Sequence, residues 1–266
     1  PRAEHPPGRV PVKRFGWLIA LGLVALLLFV LATLPAGIAS GRLEKFGVRA
    51  TAYTGSIWNG VAQGVTWREA PIGDLTWSLS PFALLGGKAT GHAVLTRIDG
   101  RLETDFSASF GGDARLAATT FDLPVAAMSL LPLGMPKGWQ GHASGRFEEI
   151  VVTAGWPTTI RGTLDMDDLV APPPRNANVG GFHVVFPHPA PQGVASLPDH
   201  LSALVTDKPG PFSVEGALSI GKDRSFLFEG RVAPRGAVPE SMQHSLDILG
   251  PPDAAGRRPF SVSGTL

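Results

Sequence analysis

The sequence predicts an all-β fold: one N-terminal transmembrane helix, then an antiparallel, curved β-sheet domain carrying two short helices. Three observations lead there. A stretch of twenty residues near the start carries no charge. From about Val48 onward, apolar and polar residues alternate in short runs. Glycine (33 residues) and proline (25) punctuate those runs instead of clustering in polar tracts. Alternation of period two marks strands with two unlike faces, and turn signals every ~8–12 residues are those of a meander.

Residues 1–14 form a basic tail, with Arg2, Arg9, Lys13 and Arg14 against the single acid Glu4. Phe15–Leu34 follows without a charge. As a helix rising 1.5 Å per residue it would span about 30 Å, the thickness of a bilayer's hydrocarbon core. Trp17 stands near one end, where an indole prefers the interface, and Pro35 stops the helix as the apolar run ends. A cleaved signal peptide is the alternative, with Ala36–Ser40 as its small-residue site. Its apolar region would be shorter, about 7–15 residues, which favours a retained anchor. Long domains translocate largely regardless of charge, so the tail is expected in the cytoplasm and the rest beyond the inner membrane. In a Gram-negative cell that side is the periplasm.

Residues 35–47 are expected as a linker, and 48–266 as the exported β-rich domain. Strands are predicted from VRATAYTG through TWSLS, in GKATGHAVLTRIDGRLETDFSASFG, and in RLAATTFDL, ASGRFEEIVVTAG, TTIRGTLDMDDLV, FHVVFP, HLSALVTD, PFSVEGALSI, SFLFEGRVAP and PFSVSGTL. Two stretches break the alternation. Pro124–Leu131 begins with proline at the position a helix tolerates, and Pro239–Leu249 sets Met242, Leu246 and Leu249 on one helical face before a glycine stop. Each closes a run of strands, which suggests a weak duplication with halves meeting near 135–140. The stretches 172–178 and 187–198, rich in proline, are expected as loops.

No enzyme chemistry emerges. The chain has no cysteine, which excludes disulfides, thiolate metal sites and a thiol nucleophile. Beyond the tail the charge is nearly balanced, without the basic stripe of a nucleic-acid binder. The histidines lack the H-E-x-x-H spacing of a helical zinc site and are expected as surface residues. Asp165, Asp167 and Asp168 miss the calcium-loop pattern, because Leu169 and Val170 stand at its fifth and sixth positions; a solvated strand end is the expectation. Glu148 and Glu149 are adjacent on a strand and point to opposite faces. No nucleophile elbow, phosphate-binding loop or dinucleotide fingerprint occurs, and no cofactor is expected. Trp58, Trp67 and Trp77 lie close together in the first strands. Parity puts Trp77 and Leu79 on one face, Thr76 and Ser78 on the other. These indoles are either core aromatics of a sheet or the floor of an apolar groove or partner surface.

Two motifs in this region carry a resemblance. Gly55-Ser56-Ile57-Trp58-Asn59-Gly60 is similar to G-[ST]-[LIV]-W-x-G, and Gly73 through Pro81 to G-x-[LV]-x-W-x-[LW]-x-P. Gly155-Trp156-Pro157, then Gly162-Thr163-Leu164, Leu249–Asp253 and Arg258–Gly264 continue the series in order. Together with the basic tail and the span ending at Leu34-Pro35-Ala36, the chain resembles the type II secretion system protein N family over nearly its whole length. The resemblance implies an accessory inner-membrane component of the apparatus that exports folded proteins across the outer membrane, without enzymatic activity. Other secretion components are the partners it implies. The β-rich body is also similar to the groove-forming domains of AsmA-like lipid-transport proteins, so a lipid-binding or lipid-transfer module is the alternative. Gly55, Trp58, Gly60, Trp67, Trp77, Pro81, Trp156 and Pro157 are the candidate interaction or groove positions.

Overall fold

The computed structural model describes residues 33–128, 138–174, 176–187, 200–236 and 246–265. The expected tail and most of the span, the loop 188–198 and most of the expected second helix lie outside these residues. Among the described residues no helix is long and apolar enough to cross a membrane.

Residues beyond Pro35 form helical turns: a 3₁₀ turn at Ala36–Ala39, helix α1 at Ser40–Leu43 and a second 3₁₀ turn at Glu44–Phe46. The rest is strand upon strand. The first seven are β1 (Val48–Arg49), β2 (Ala52–Gly55), β3 (Asn59–Trp67), β4 (Ala70–Leu79), β5 (Lys88–Arg97), β6 (Gly100–Ser109) and β7 (Ala114–Pro124). Helix α2 (Val125–Met128) falls within the first predicted helix. The chain continues in β8 (Gln140–Thr153), β9 (Trp156–Val170), β10 (Asn178–Phe186), β11 (His200–Asp207), β12 (Phe212–Gly221), β13 (Ser225–Pro234) and β14 (Arg258–Thr265).

All fourteen strands form one antiparallel sheet in which each strand from β3 to β14 pairs with its sequence neighbour. β1 and β2 both lie on the outer edge of β3. β7 pairs directly with β8, so the sheet is continuous through the expected midpoint. Among the described residues the outer edge of β14 has no strand partner, so the sheet is open.

Register explains why this sequence makes a sheet with two unlike faces. Directly paired residues share a face. One row reads Leu75, Leu95, Leu102, Phe121, Gly145, Leu164, Val184, Val205, Gly216, Gly230, Phe260 from β4 to β14. Every member is apolar or glycine. The row one residue away reads Asp74, Thr96, Arg101, Asp122, Ser144, Asp165, His183, Thr206, Glu215, Arg231 from β4 to β13, all polar, and ends on Pro259 in β14.

The sheet bends where an extra residue enters a strand. Ala118 in β7 and Asp168 in β9 each sit opposite a register shift, with left-handed φ of 47° and 51°. Such bulges bend the strand and sharpen its twist. The apolar face is packed most densely near the middle, where α2 lays Val125 and Met128 over Ala143 and Leu169. A second cluster joins Val184, Ala203 and Val205 to Leu164, Met166 and Phe228. Elsewhere much of the face is half-buried, although Ala62, Leu123, Phe147, Leu201 and Val232 are buried. The largest fully buried side chains are Val65, Val125 and Ser219, and no aromatic is among them. Among the described residues Phe147 is the one buried phenylalanine, whereas a sheet packed under a full second layer would bury the others too.

Candidate functional site

The two sequence motifs interlock at one corner of the sheet, where the chain arrives from its N-terminal segment. Each residue of Gly55–Gly60 has a local task. Gly55 ends β2 with φ of 84°, a left-handed turn that L residues rarely adopt. The Ser56 hydroxyl accepts the N–H groups of Trp58 (3.2 Å) and Asn59 (3.1 Å), closing the turn before β3. Ile57 faces both ways along the backbone. Its N–H donates to the Leu34 carbonyl at 3.0 Å. Its carbonyl accepts the Trp77 indole N–H at 2.9 Å. Pro35 forms a bridge with Ser56.

The second motif supplies the other half. Leu75, Trp77 and Leu79 alternate with exposed Asp74, Thr76 and Ser78 along β4. The Trp77 ring lies across buried Gly60 on the neighbouring strand, where a Cβ would come within 2.9 Å of ring atom Cε2 and 2.8 Å of the Ser56 carbonyl. Gly60 is therefore glycine because the indole needs its space. Leu79 N–H donates to the Trp58 carbonyl, and Pro81 opens the 3₁₀ turn Pro81–Gly86. The corner fastens the incoming chain, the Ser56–Trp58 loop and the end of β4 through one indole.

Gly55, Trp58, Gly60, Trp77 and Pro81 are thus brought together. Trp67 is not. It ends β3 at the opposite edge of the strands, with the Arg68 guanidinium 5.2 Å from its ring centroid. Trp156 and Pro157 stand on the β8–β9 hairpin, paired with Thr153 and Val152. A depression of about 360 Å³ lies beside the corner on the polar face, lined by Thr54, Val61, Thr76, Ser78, His92 and Val94. Its lining holds no carboxylate, and His92, which faces Ser78 across the strands, pairs with Asp105 instead of with that hydroxyl.

The polar face carries an arrangement that the sequence reading missed. His92 lies 2.8 Å from Asp105, His183 lies 2.8 Å from Asp165, and His142 pairs with Asp122. Each of these three histidines is at the surface, as expected, and meets a carboxylate on the neighbouring strand, so they form cross-strand pairs. Lys208 Nζ adds contacts to Asp165 at 3.2 Å and Asp167 at 2.7 Å. Asp165 and Asp167 lie near the end of β9 with partly exposed side chains, and Asp168 after them is exposed. Burial pushes the Asp165 carboxyl up, but hydrogen bonds from His183 and Lys208 outweigh it and hold its pKa below the usual carboxylate value. The hydrogen bond to Asp167, together with Asp165, raises the Lys208 ammonium. Among the described residues no three acidic or histidine side chains converge as a metal site.

Comparisons with known proteins bear on the whole chain. A family model described as type II secretion system (T2SS), protein N, matches residues 47–261. A type II secretion system protein N from Vibrio cholerae is 28% identical over 246 residues, covering 89% of this chain and 93% of the relative. One from Aeromonas hydrophila is 26% identical over 276 residues, covering 94% and 98%. No solved structure matches significantly.

Proposed function

The chain belongs to the type II secretion system protein N family, and from that premise we propose that it is an accessory inner-membrane subunit of the secretion apparatus. Phe15–Leu34 anchors it, and the sheet domain works in the periplasm through protein–protein contacts that help export folded proteins across the outer membrane. The observation that carries this reading is the corner. The first two motifs of the series converge there, beside the point where the anchor would end, and hold the incoming chain to the sheet. No enzyme activity is proposed. The test is purification of the full chain from detergent-solubilised envelopes. Other secretion components are expected to accompany it. Recovery of the chain alone, under conditions that keep the rest of the apparatus assembled, overturns the reading.

A second reading, an AsmA-like lipid-binding module, is favoured by the unbroken apolar row on an open sheet. A closed barrel or packed sandwich would leave no such face for acyl chains, and the described strands form neither. Native mass spectrometry of the purified chain, with lipid extraction of the same sample, tests it. Phospholipid is expected on the wild type and on Val94→Glu, which alters the polar face, and lost in Leu95→Glu, one residue away on the apolar face. A lipid-free wild type overturns the second reading and leaves the first untouched.

A further inference from the structure

The meander reverses at every turn, so each loop falls at one of two ends of the sheet. The end where the chain arrives holds Leu34–Pro35, the Ser56–Trp58 loop, the turn Pro81–Gly86, and the β6–β7, β8–β9 and β12–β13 turns. Two of these loops expose large apolar side chains. Phe82 is 81% exposed and Phe110 is 77% exposed. The Phe110 N–H donates to the Gly87 carbonyl at 3.4 Å, so the two loops are neighbours. Trp58 and Trp156 stand at the same end. Charge is mixed there, with Lys88, Lys222 and Arg224 against Asp113 and Asp223, so the aromatic residues carry the signal. Two phenylalanines held toward water on adjacent loops are an apolar patch in search of a partner.

The chain outside the described residues identifies that partner. Twenty uncharged residues, Phe15–Leu34, end at this same corner, where the Leu34 carbonyl accepts the Ile57 N–H. A bilayer holding that segment therefore meets the sheet at the end that exposes Phe82 and Phe110. We propose that this end rests in the headgroup region of the membrane, with Phe82 and Phe110 inserted into the lipid as interfacial anchors. The inference rests on the anchor reading above. The open apolar face then begins at the membrane surface.

The absence of cysteine makes the test clean. Phe82→Cys, Phe110→Cys and Ile98→Cys each give one labelling site on the full chain. Ile98 is the control: it is fully exposed at the opposite end, between the ion-paired Arg97 and Asp99. Each variant is labelled with an environment-sensitive fluorophore and reconstituted into phosphatidylethanolamine–phosphatidylglycerol liposomes. Labels at 82 and 110 are expected to emit to the blue and to be quenched several-fold less by iodide than the label at 98. If the chain floats with the liposomes and all three labels are quenched alike, this inference falls and the anchor stands. A chain that does not float overturns the anchor and this inference with it. Protection that arises only when other secretion components are added assigns the end to a protein interface and overturns the lipid contact.

Discussion

Gly60→Ala tests the corner most directly. The backbone of Gly60 is not in the left-handed region, so alanine alone would be favourable there by about 0.5–1 kcal/mol through the loss of unfolded-state freedom. The new Cβ, however, lies within 2.9 Å of the Trp77 ring and 2.8 Å of the Ser56 carbonyl. The indole cannot simply swing aside, because its N–H is bonded to the Ile57 carbonyl at 2.9 Å. Releasing that bond costs about 0.5–1.5 kcal/mol, and overpacking without release costs about 1–3 kcal/mol. The net expectation is destabilisation by about 1–2 kcal/mol. Urea unfolding of the full chain in detergent, followed by near-ultraviolet circular dichroism, reads it as a lower midpoint at unchanged slope. The control is the double-mutant cycle with Trp77→Leu. That substitution is costly itself, but it removes the ring that Gly60 accommodates, so adding Gly60→Ala then costs at least about 1 kcal/mol less. An unchanged midpoint for Gly60→Ala, or an equal cost in both backgrounds, refutes the explanation of this motif.

Two further perturbations probe the sheet beyond the corner. Thr104 and Thr119 are buried and share a hydroxyl–hydroxyl bond of 2.7 Å beside the β6–β7 bulge, and Thr104 also donates to the Asp105 carbonyl. Thr104→Val strands the Thr119 hydroxyl and costs about 1–3 kcal/mol, whereas the double valine variant is close to wild type, as thermal unfolding of the set would show. Asp165 has its folded pKa below the ordinary 3.8, so the stability it contributes is fully present above that value and is lost as pH falls through the depressed one. Lys208 is raised above the ordinary 10.5, so its contribution is complete below that value and lost as pH rises through the folded one. Unfolding midpoints should accordingly flatten on the acid side in Asp165→Asn and on the alkaline side in Lys208→Met; unchanged limbs exclude these groups as the cause.

The strands were legible because alternation survives in one dimension: Leu75, Trp77 and Leu79 against Asp74, Thr76 and Ser78 is a pattern any single strand shows. The pairing of His92 with Asp105 was also within reach. The turn at Ile98–Asp99 closes β5 on β6, and positions equidistant from it oppose each other. His183 and Asp165 are different, because the loop between β9 and β10 sets a register that no local rule fixes, and bulges at Gly180 and Asp168 shift it. The tryptophans misled in part for a related reason. Trp58, Trp67 and Trp77 are close in sequence, but β3 carries Trp67 a full strand length from the corner. The close fit of Gly60 under the indole could not be read from sequence at all, since it is a cross-strand contact.

The two unlike faces of these strands make the two proposed functions separable residue by residue. An acyl chain would lie on the row that includes Leu75, Leu95 and Leu102. A folded partner that recognises charge would meet the row that includes Asp74, Arg101 and Asp122. Moving one position along β4 passes from one row to the other without changing the strand, its pairing or its distance from the membrane. A secretion defect confined to substitutions of one parity would therefore assign the working face, and defects at both would mean that lipid contact and assembly act together in one subunit.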